Sequence, residues 1–267
     1  MPPSEDHSGT PAGTLAGTQA GTQGRKPRRT RSIDPRQFMD AATTLYTNNR
    51  ARFATVAEIT QEIGCAKGTF YLYYRSVEQM YARIIEAKLT ECVDETLRRI
   101  DAAVALSPQT ALSPDTLAEA IVAPFLVDKV QINFAFRLIG GFTEMLARED
   151  ALNLRLCVVA LMRRIADRVE QISHGLLSGE AARATTGRSY AAIMGLWQYA
   201  YPSPGFGARL SASVPNAAYV DFEHEAFETV RSLWCVAINR ALEQQQLADP
   251  EYQRKVAPAD KTLADPV

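Results

Sequence analysis

Helix-opening signals at Asp34, Thr55 and Ser76 constrain this chain more than any other feature. Asp34-Pro35-Arg36-Gln37 places an N-cap side chain, a proline at the first helical position and a glutamine at the third. Thr55-Val56-Ala57-Glu58 and Ser76-Val77-Glu78-Gln79 have the spacing of a capping box, in which two side chains satisfy the backbone N–H groups left free at a helix start. Behind each signal apolar residues recur at helical spacing. The first set is Phe38, Ala41, Ala42, Leu45 and Tyr46; the second is Val56, Ile59 and Ile63. The third is Met80, Ile84, Leu89, Val93, Leu97 and Ile100. Gly64 stops the second helix, and Cys65 to Tyr74 reads as a short helix before the long third one.

Helix, glycine turn and short helix from Thr55 to Tyr74 have the size of a helix-turn-helix, although core helix pairs share that spacing. The short helix separates the two readings. Ala66, Lys67, Gly68, Thr69, Tyr71 and Tyr73 form a small, polar and aromatic surface, with donors suited to phosphates and base edges. Charge agrees. The chain carries a net −1, yet residues 25–75 hold ten Lys/Arg against four Asp/Glu, a net of +6. A cationic segment on an acidic chain is the electrostatic footprint of a DNA-binding module. Residues 9–24 repeat a Gly-Thr pair every four positions and have little to bury, so 1–24 reads as a disordered leader. Arg25-Lys26-Pro27-Arg28-Arg29-Thr30-Arg31 follows, readable as a solubilising tail or as an arm that touches DNA through Arg28, Arg29 and Arg31. Its place before a basic domain favours the arm.

Residues 32–92 resemble the TetR family of bacterial transcriptional regulators. The resemblance is carried by Phe38-Met39-Asp40-Ala41-Ala42, Leu45-Tyr46, Ala54-Thr55-Val56-Ala57-Glu58-Ile59, Ile63-Gly64-Cys65-Ala66-Lys67-Gly68-Thr69-Phe70-Tyr71 and Tyr74-Arg75-Ser76-Val77-Glu78. It implies an all-α fold: a three-helix helix-turn-helix DNA-binding domain joined through a fourth helix to a helical effector-binding and dimerisation domain. It also implies a palindromic double-stranded DNA operator, a small-molecule effector and a homodimer. By resemblance Thr55 caps helix two and touches a phosphate, and Lys67, Gly68 and Thr69 lead the recognition helix. Tyr71 contacts backbone phosphate, while Tyr73 and Tyr74, at the usual histidine and phenylalanine positions, lean toward packing; Tyr73 also counts among the DNA-facing candidates. Three departures stand out: Ala66 for the usual Ser/Thr, Val77 for the usual lysine with Arg75 supplying the charge, and Arg50 for the usual glycine. The expected division is 1–24 leader, 25–31 arm, 32–92 DNA-binding domain, 93–246 effector-binding and dimerisation domain, and 247–267 polar tail.

Beyond Pro114 helices are predicted near 115–128, 130–148, 150–177, 180–200 and 219–246. The proline- and glycine-broken loop from Tyr201 to Pro215 is long enough to be a flap, an interface element or partly mobile. The last two helices, rich in residues such as Ile193, Trp197, Phe227 and Trp234, correspond in the family to a bundle across a two-fold axis. Candidate ligand-lining residues are Phe134, Arg137, Phe142, His174, Tyr190 and Trp197, though aromatic stripes at helical spacing more often form core. Gly140-Gly141, read as mid-helix, costs ~1 kcal/mol per glycine and implies close packing or a bend.

No apolar run approaches the ~20 residues needed to span a bilayer, and Glu5 and Asp6 occupy the place of a signal peptide's apolar region, so a cytoplasmic location without membrane contact is expected. Four scattered cysteines without a CxxC pair read as reduced thiols. Asp221-Phe222-Glu223-His224-Glu225 has spacing that suits a metal, but an acidic helix start favoured by the macrodipole is the better reading. With no GxSxG, P-loop, dinucleotide fingerprint or HExxH, neither an enzyme nor a cofactor is expected. The sequence therefore points to a ligand-responsive, homodimeric repressor. Ala66 and Val77 motivate the alternative, a helical small-molecule-binding or interaction protein that has lost productive DNA contact.

Overall fold

The computed structural model describes residues 33–48, 52–107, 112–127, 132–134, 141–201 and 220–250. Regular structure among them is helical: α1 (Pro35–Asn48), α2 (Val56–Ile63), α3 (Lys67–Phe70), α4 (Val77–Leu106), α5 (Pro114–Val127), α6 (Arg148–Ile172), α7 (Gly179–Ala200) and α8 (Phe222–Ala248). A 3-10 turn, Phe142–Met145, precedes α6. The chain divides into two units, Met1–Ile33 and Asp34–Val267, and these helices all belong to the second. No helix among the described residues is long and apolar enough to cross a membrane.

The helix starts form largely as their side chains dictate. Asp34 Oδ1 accepts from the Arg36 N–H at 2.9 Å. The α2 box is complete: Thr55 Oγ1 accepts from the Glu58 N–H at 3.3 Å and Glu58 Oε2 accepts from the Thr55 N–H at 2.7 Å. Gly64 closes α2 at φ 74°, a left-handed conformation that favours glycine. At α4 only half of the expected box forms. Ser76 Oγ accepts from the Gln79 N–H, but Gln79 Oε1 accepts from the Arg75 N–H rather than from Ser76.

α3 is shorter than the helix expected over Cys65 to Tyr74. Alanine at position 66 offers no side-chain cap, and after Phe70 the chain turns, with the Tyr73 and Tyr74 N–H groups both donating to the Phe70 carbonyl. A single helical turn has no stability of its own, because nucleation fixes several dihedrals for one hydrogen bond. Packing holds it. Phe70 is fully buried, its ring 5.5 Å from Phe38 and 5.4 Å from Tyr74, and the Tyr74 hydroxyl donates to the Pro35 carbonyl at 2.9 Å.

α4 packs on α1, α5 and α6, α6 packs on α7, and α8 packs on α5 and α7. α4 runs unbroken through residues 92 and 93, the expected domain boundary. Cross-helix pairs Arg164–Asp94 and Arg168–Asp101, each 2.7 Å, join α6 to α4. The helix expected over 130–148 is interrupted. Gly141 is not mid-helix but sits at φ 86° and opens the 3-10 turn, so its positive φ accounts for the glycine. α6 stops at Ile172 rather than 177 because His174 (φ 50°) and Gly175 (φ 85°) turn left-handed. The leader, the arm, Arg50, Gly140, most of the Tyr201–Pro215 loop and residues 251–267 lie outside the described residues.

The Glu58 carboxyl is held down at about 2, first by the Arg52 guanidinium and then by the Thr55 N–H and hydroxyl. A depressed folded value means that this contribution is present above the unfolded value of about 4.3 and is lost as pH falls through about 2. Glu58→Gln keeps the cap geometry without the charge. It is expected to melt below the wild type near neutral pH, with the two melting temperatures converging as acid is added through that window. Melting curves that stay parallel would remove Glu58 from the acid response.

Candidate nucleic-acid interface

α2, the Gly64 turn and α3 present one outward surface. Thr55, Lys67, Gly68, Tyr71, Leu72, Tyr73 and Arg75 are exposed and Thr69 is half-buried, whereas Phe70 and Tyr74 are buried. Helical spacing produces this split: Gly68 and Leu72 lie one turn apart on the outside, and Phe70 and Tyr74 one turn apart on the inside. Tyr71 sets its ring edge-on to Phe70 at 5.4 Å, and Tyr73 lies 5.9 Å from Phe38, so Tyr73 packs in part and remains 41% exposed.

The cations divide unevenly. Arg36 pairs with Asp34 at 3.1 Å and Arg52 with Glu58 at 2.6 Å. Arg75, expected to replace the lysine missing at Val77, directs its guanidinium elsewhere, to Glu149 at 3.4 Å and Asp150 at 3.2 Å in the first turn of α6. Gln79 Nε2 also donates to Asp150, at 3.1 Å. Lys67 forms no ion pair with any described residue. Of the ten cations in 25–75, Arg25, Lys26, Arg28, Arg29, Arg31 and Arg50 lie outside the described residues. The remainder, Arg36, Arg52, Lys67 and Arg75, are balanced by Asp34, Asp40, Glu58 and Glu62, four against four. The positive excess of this region therefore resides in the arm and Arg50.

Thr55 has both its donors engaged on Glu58 Oε2, the N–H at 2.7 Å and the hydroxyl at 2.9 Å. A phosphate contact through Thr55 has to displace that carboxylate. Gly68 is instructive for the opposite reason. Its φ is not left-handed and an added Cβ would meet nothing within 4 Å, so neither conformation nor packing inside the chain requires glycine there. A helical glycine costs ~1 kcal/mol relative to alanine, and close backbone approach by a partner is a physical reason to keep it. Leu72 was not among the residues singled out by sequence, although the large residues Tyr71-Leu72-Tyr73 standing in a row were a signal.

A cavity of about 550 Å³ opens between α4, the 3-10 turn, α6 and α7, with Leu89, Glu144, Leu154, Arg155, Tyr190 and Met194 in its wall. Of the ligand candidates, Tyr190 lines it. Phe134 and Phe142 instead complete an aromatic core with Tyr46, Phe53 and Tyr81: Phe134 stacks on Tyr46 at 4.5 Å and Phe142 meets Phe53 at 5.3 Å. Trp197 packs on Tyr201 at 4.1 Å and Phe222 at 5.1 Å where α7 meets α8. His174 is exposed at the end of α6, and Arg137 lies outside the described residues. Burial pushes the Tyr190 phenol well above its ordinary value and the neighbouring Cys92 thiol up to about 12, so both stay neutral near neutral pH. Glu144 and Arg155 were missed because a charged residue on a helix or turn reads from sequence as plain solvated surface. At the α8 start, the Asp221 carboxylate caps the helix by accepting from the His224 N–H.

No family model matches the chain. Over 65 residues, 24% of its length, it is 37% identical to an uncharacterized HTH-type transcriptional regulator, YfiR, of Bacillus subtilis (strain 168); the match spans 30% of that relative. Among solved structures, a regulator provisionally placed in the TetR family, from Mesorhizobium loti MAFF303099, is 14% identical with a TM-score of 0.46, over 76% of this chain and 95% of that one. A transcriptional regulator from Rhodococcus sp. Rha1 is 16% identical with a TM-score of 0.46, over 79% and 97%. On the motif residues of its helix-turn-helix, and beside a curated relative that is itself a helix-turn-helix regulator, the chain resembles the TetR family of transcriptional regulators.

Proposed function

We propose that this chain is a cytoplasmic, sequence-specific DNA-binding repressor of the TetR type, binding a palindromic operator as a homodimer and released by a small-molecule effector. The observation that carries the reading is the outward face of α3: a lysine with no ion pair among the described residues, beside a glycine that neither its φ nor the described residues around it require. Lys67, Thr69, Tyr71 and Tyr73 supply donors around it, and Arg28, Arg29 and Arg31 supply counter-charge for phosphates. A two-fold dimer suits a palindrome, and α8, with Val236, Leu242 and Leu247 exposed, offers apolar surface for it. The cavity has the size of a small-ligand pocket, which typically measures ~300–1,000 Å³. An effector there shifts DNA occupancy only as far as its affinity differs between the two conformations. The engagement of Arg75 by α6 favours a second reading, a ligand-binding protein without productive DNA contact. A gel shift on the DNA upstream of its own coding sequence separates the two: a sequence-selective complex supports the regulator, and an intact dimer without one supports the alternative.

Gly68→Ala is expected to raise stability by up to about 1 kcal/mol, read from the denaturant midpoint, while weakening DNA binding. A variant that is stabilised with unchanged affinity would strip Gly68 of its role at the interface.

Deleting residues 1–31 removes five of the cations, so the slope of log affinity against log salt should fall by up to about 4.5 per protomer. Lys67→Ala should lower it by about 1. An unchanged slope after the deletion would make the arm a solubilising tail.

A further inference from the structure

We infer that Leu72 reads the 5-methyl group of a thymine in the major groove, and so sets base preference in the DNA site; the inference rests on the DNA-binding function proposed above. Tyr71, Leu72 and Tyr73 are 57%, 79% and 41% exposed. Isolated surface leucines are ordinary, but three consecutive exposed large residues are a fault in a folded chain unless something covers them. The two tyrosines have ring contacts inside the chain, to Phe70 and Phe38. Leu72 is the most exposed of the three and is held by its backbone, its N–H donating to the Thr69 carbonyl at 3.3 Å.

That hydrogen bond fixes Leu72 in the turn that follows α3, four residues beyond Gly68. At Gly68 a Cβ is missing and would have met nothing within 4 Å. Leu72 thus stands as a small apolar step on a surface that also carries the bare backbone of Gly68 and Lys67, a cation with no ion pair among the described residues. Base edges in the major groove present donors, acceptors and one apolar group, the thymine methyl. Leucine can neither donate nor accept. Opposite a donor or acceptor it would strip water and return no hydrogen bond, a net cost; opposite a thymine methyl it exchanges apolar surface for apolar surface. A protein partner would need ~20–30 residues on each side, far more than this step offers.

The test uses the full chain and a duplex enriched by it from a random-sequence pool. Each thymine of the enriched site is replaced in turn by deoxyuridine, which removes the 5-methyl group alone, and affinity is read by fluorescence anisotropy. Wild type should lose about fourfold at one thymine in each half-site, the factor for one buried methyl. Leu72→Ala should bind the all-thymine duplex more weakly, lose nothing further at that thymine, and keep the wild-type response at every other one. Leu72→Met, which restores apolar reach, should recover the sensitivity. Its high exposure leads us to expect wild-type melting curves for both variants. A Leu72→Ala profile identical to wild type, or a wild type indifferent to every deoxyuridine, overturns the inference while leaving DNA binding intact. If the pool yields no enriched sequence, the DNA-binding function itself falls, and this inference with it.

Discussion

A four-residue helix cannot persist in water, so the surface offered by α3 depends on the burial of Phe70 between Phe38 and Tyr74. Burying a phenylalanine contributes about 1.5–3 kcal/mol, and each well-placed aromatic pair adds about 0.5–1.5 kcal/mol. These terms offset the nucleation cost that hydrogen bonding in so short a helix cannot meet. The Tyr74 hydroxyl, bonded to the Pro35 carbonyl, ties the same cluster to the start of α1. One consequence is geometric. With positions 70 and 74 committed inward, 68 and 72 are turned outward, and the chemistry of the exposed face follows from which residues stand there.

In the DNA binding proposed for this chain, electrostatics divides the work. The described part of residues 25–75 is balanced, four cations against four anions, with three of the cations ion-paired. The excess charge sits in the arm and Arg50. Phosphate attraction scales with the number of cations and carries no sequence information, whereas base contacts carry sequence and little charge. In the proposed regulator the arm accordingly supplies salt-dependent affinity, and the near-neutral α3 face supplies selectivity.

The helices were legible where local chemistry decides them. Thr55 with Glu58, and Gly64 after Ile63, form the cap and stop that their spacing implies. Legibility failed where distant residues decide. Arg75 has partners at 149 and 150, and nothing near position 75 announces them. The Gly140-Gly141 pair looked like an interruption within one helix because sequence does not reveal that the chain turns there; the positive φ of Gly141 does. Phe134, Phe142 and Trp197 share the helical period of cavity-lining residues, since core and cavity wall are the same face of a helix until packing leaves a gap. Tyr190 met the gap and the others met aromatic neighbours.

Asp150 brings these strands together. Its side chain is 9% exposed and holds both Arg75, just before α4, and Gln79, in the first turn of α4. Four residues further along α6, Leu154 reaches the cavity wall, and α4 reaches it at Leu89. The carboxylate is buried while its Arg75 partner is 65% exposed, so the contact joins the start of α6 to the start of α4 at the edge of their packing. Arg75 itself follows directly on the Tyr71 to Tyr74 turn, so a contact to α6 lies next in the chain to the exposed α3 surface.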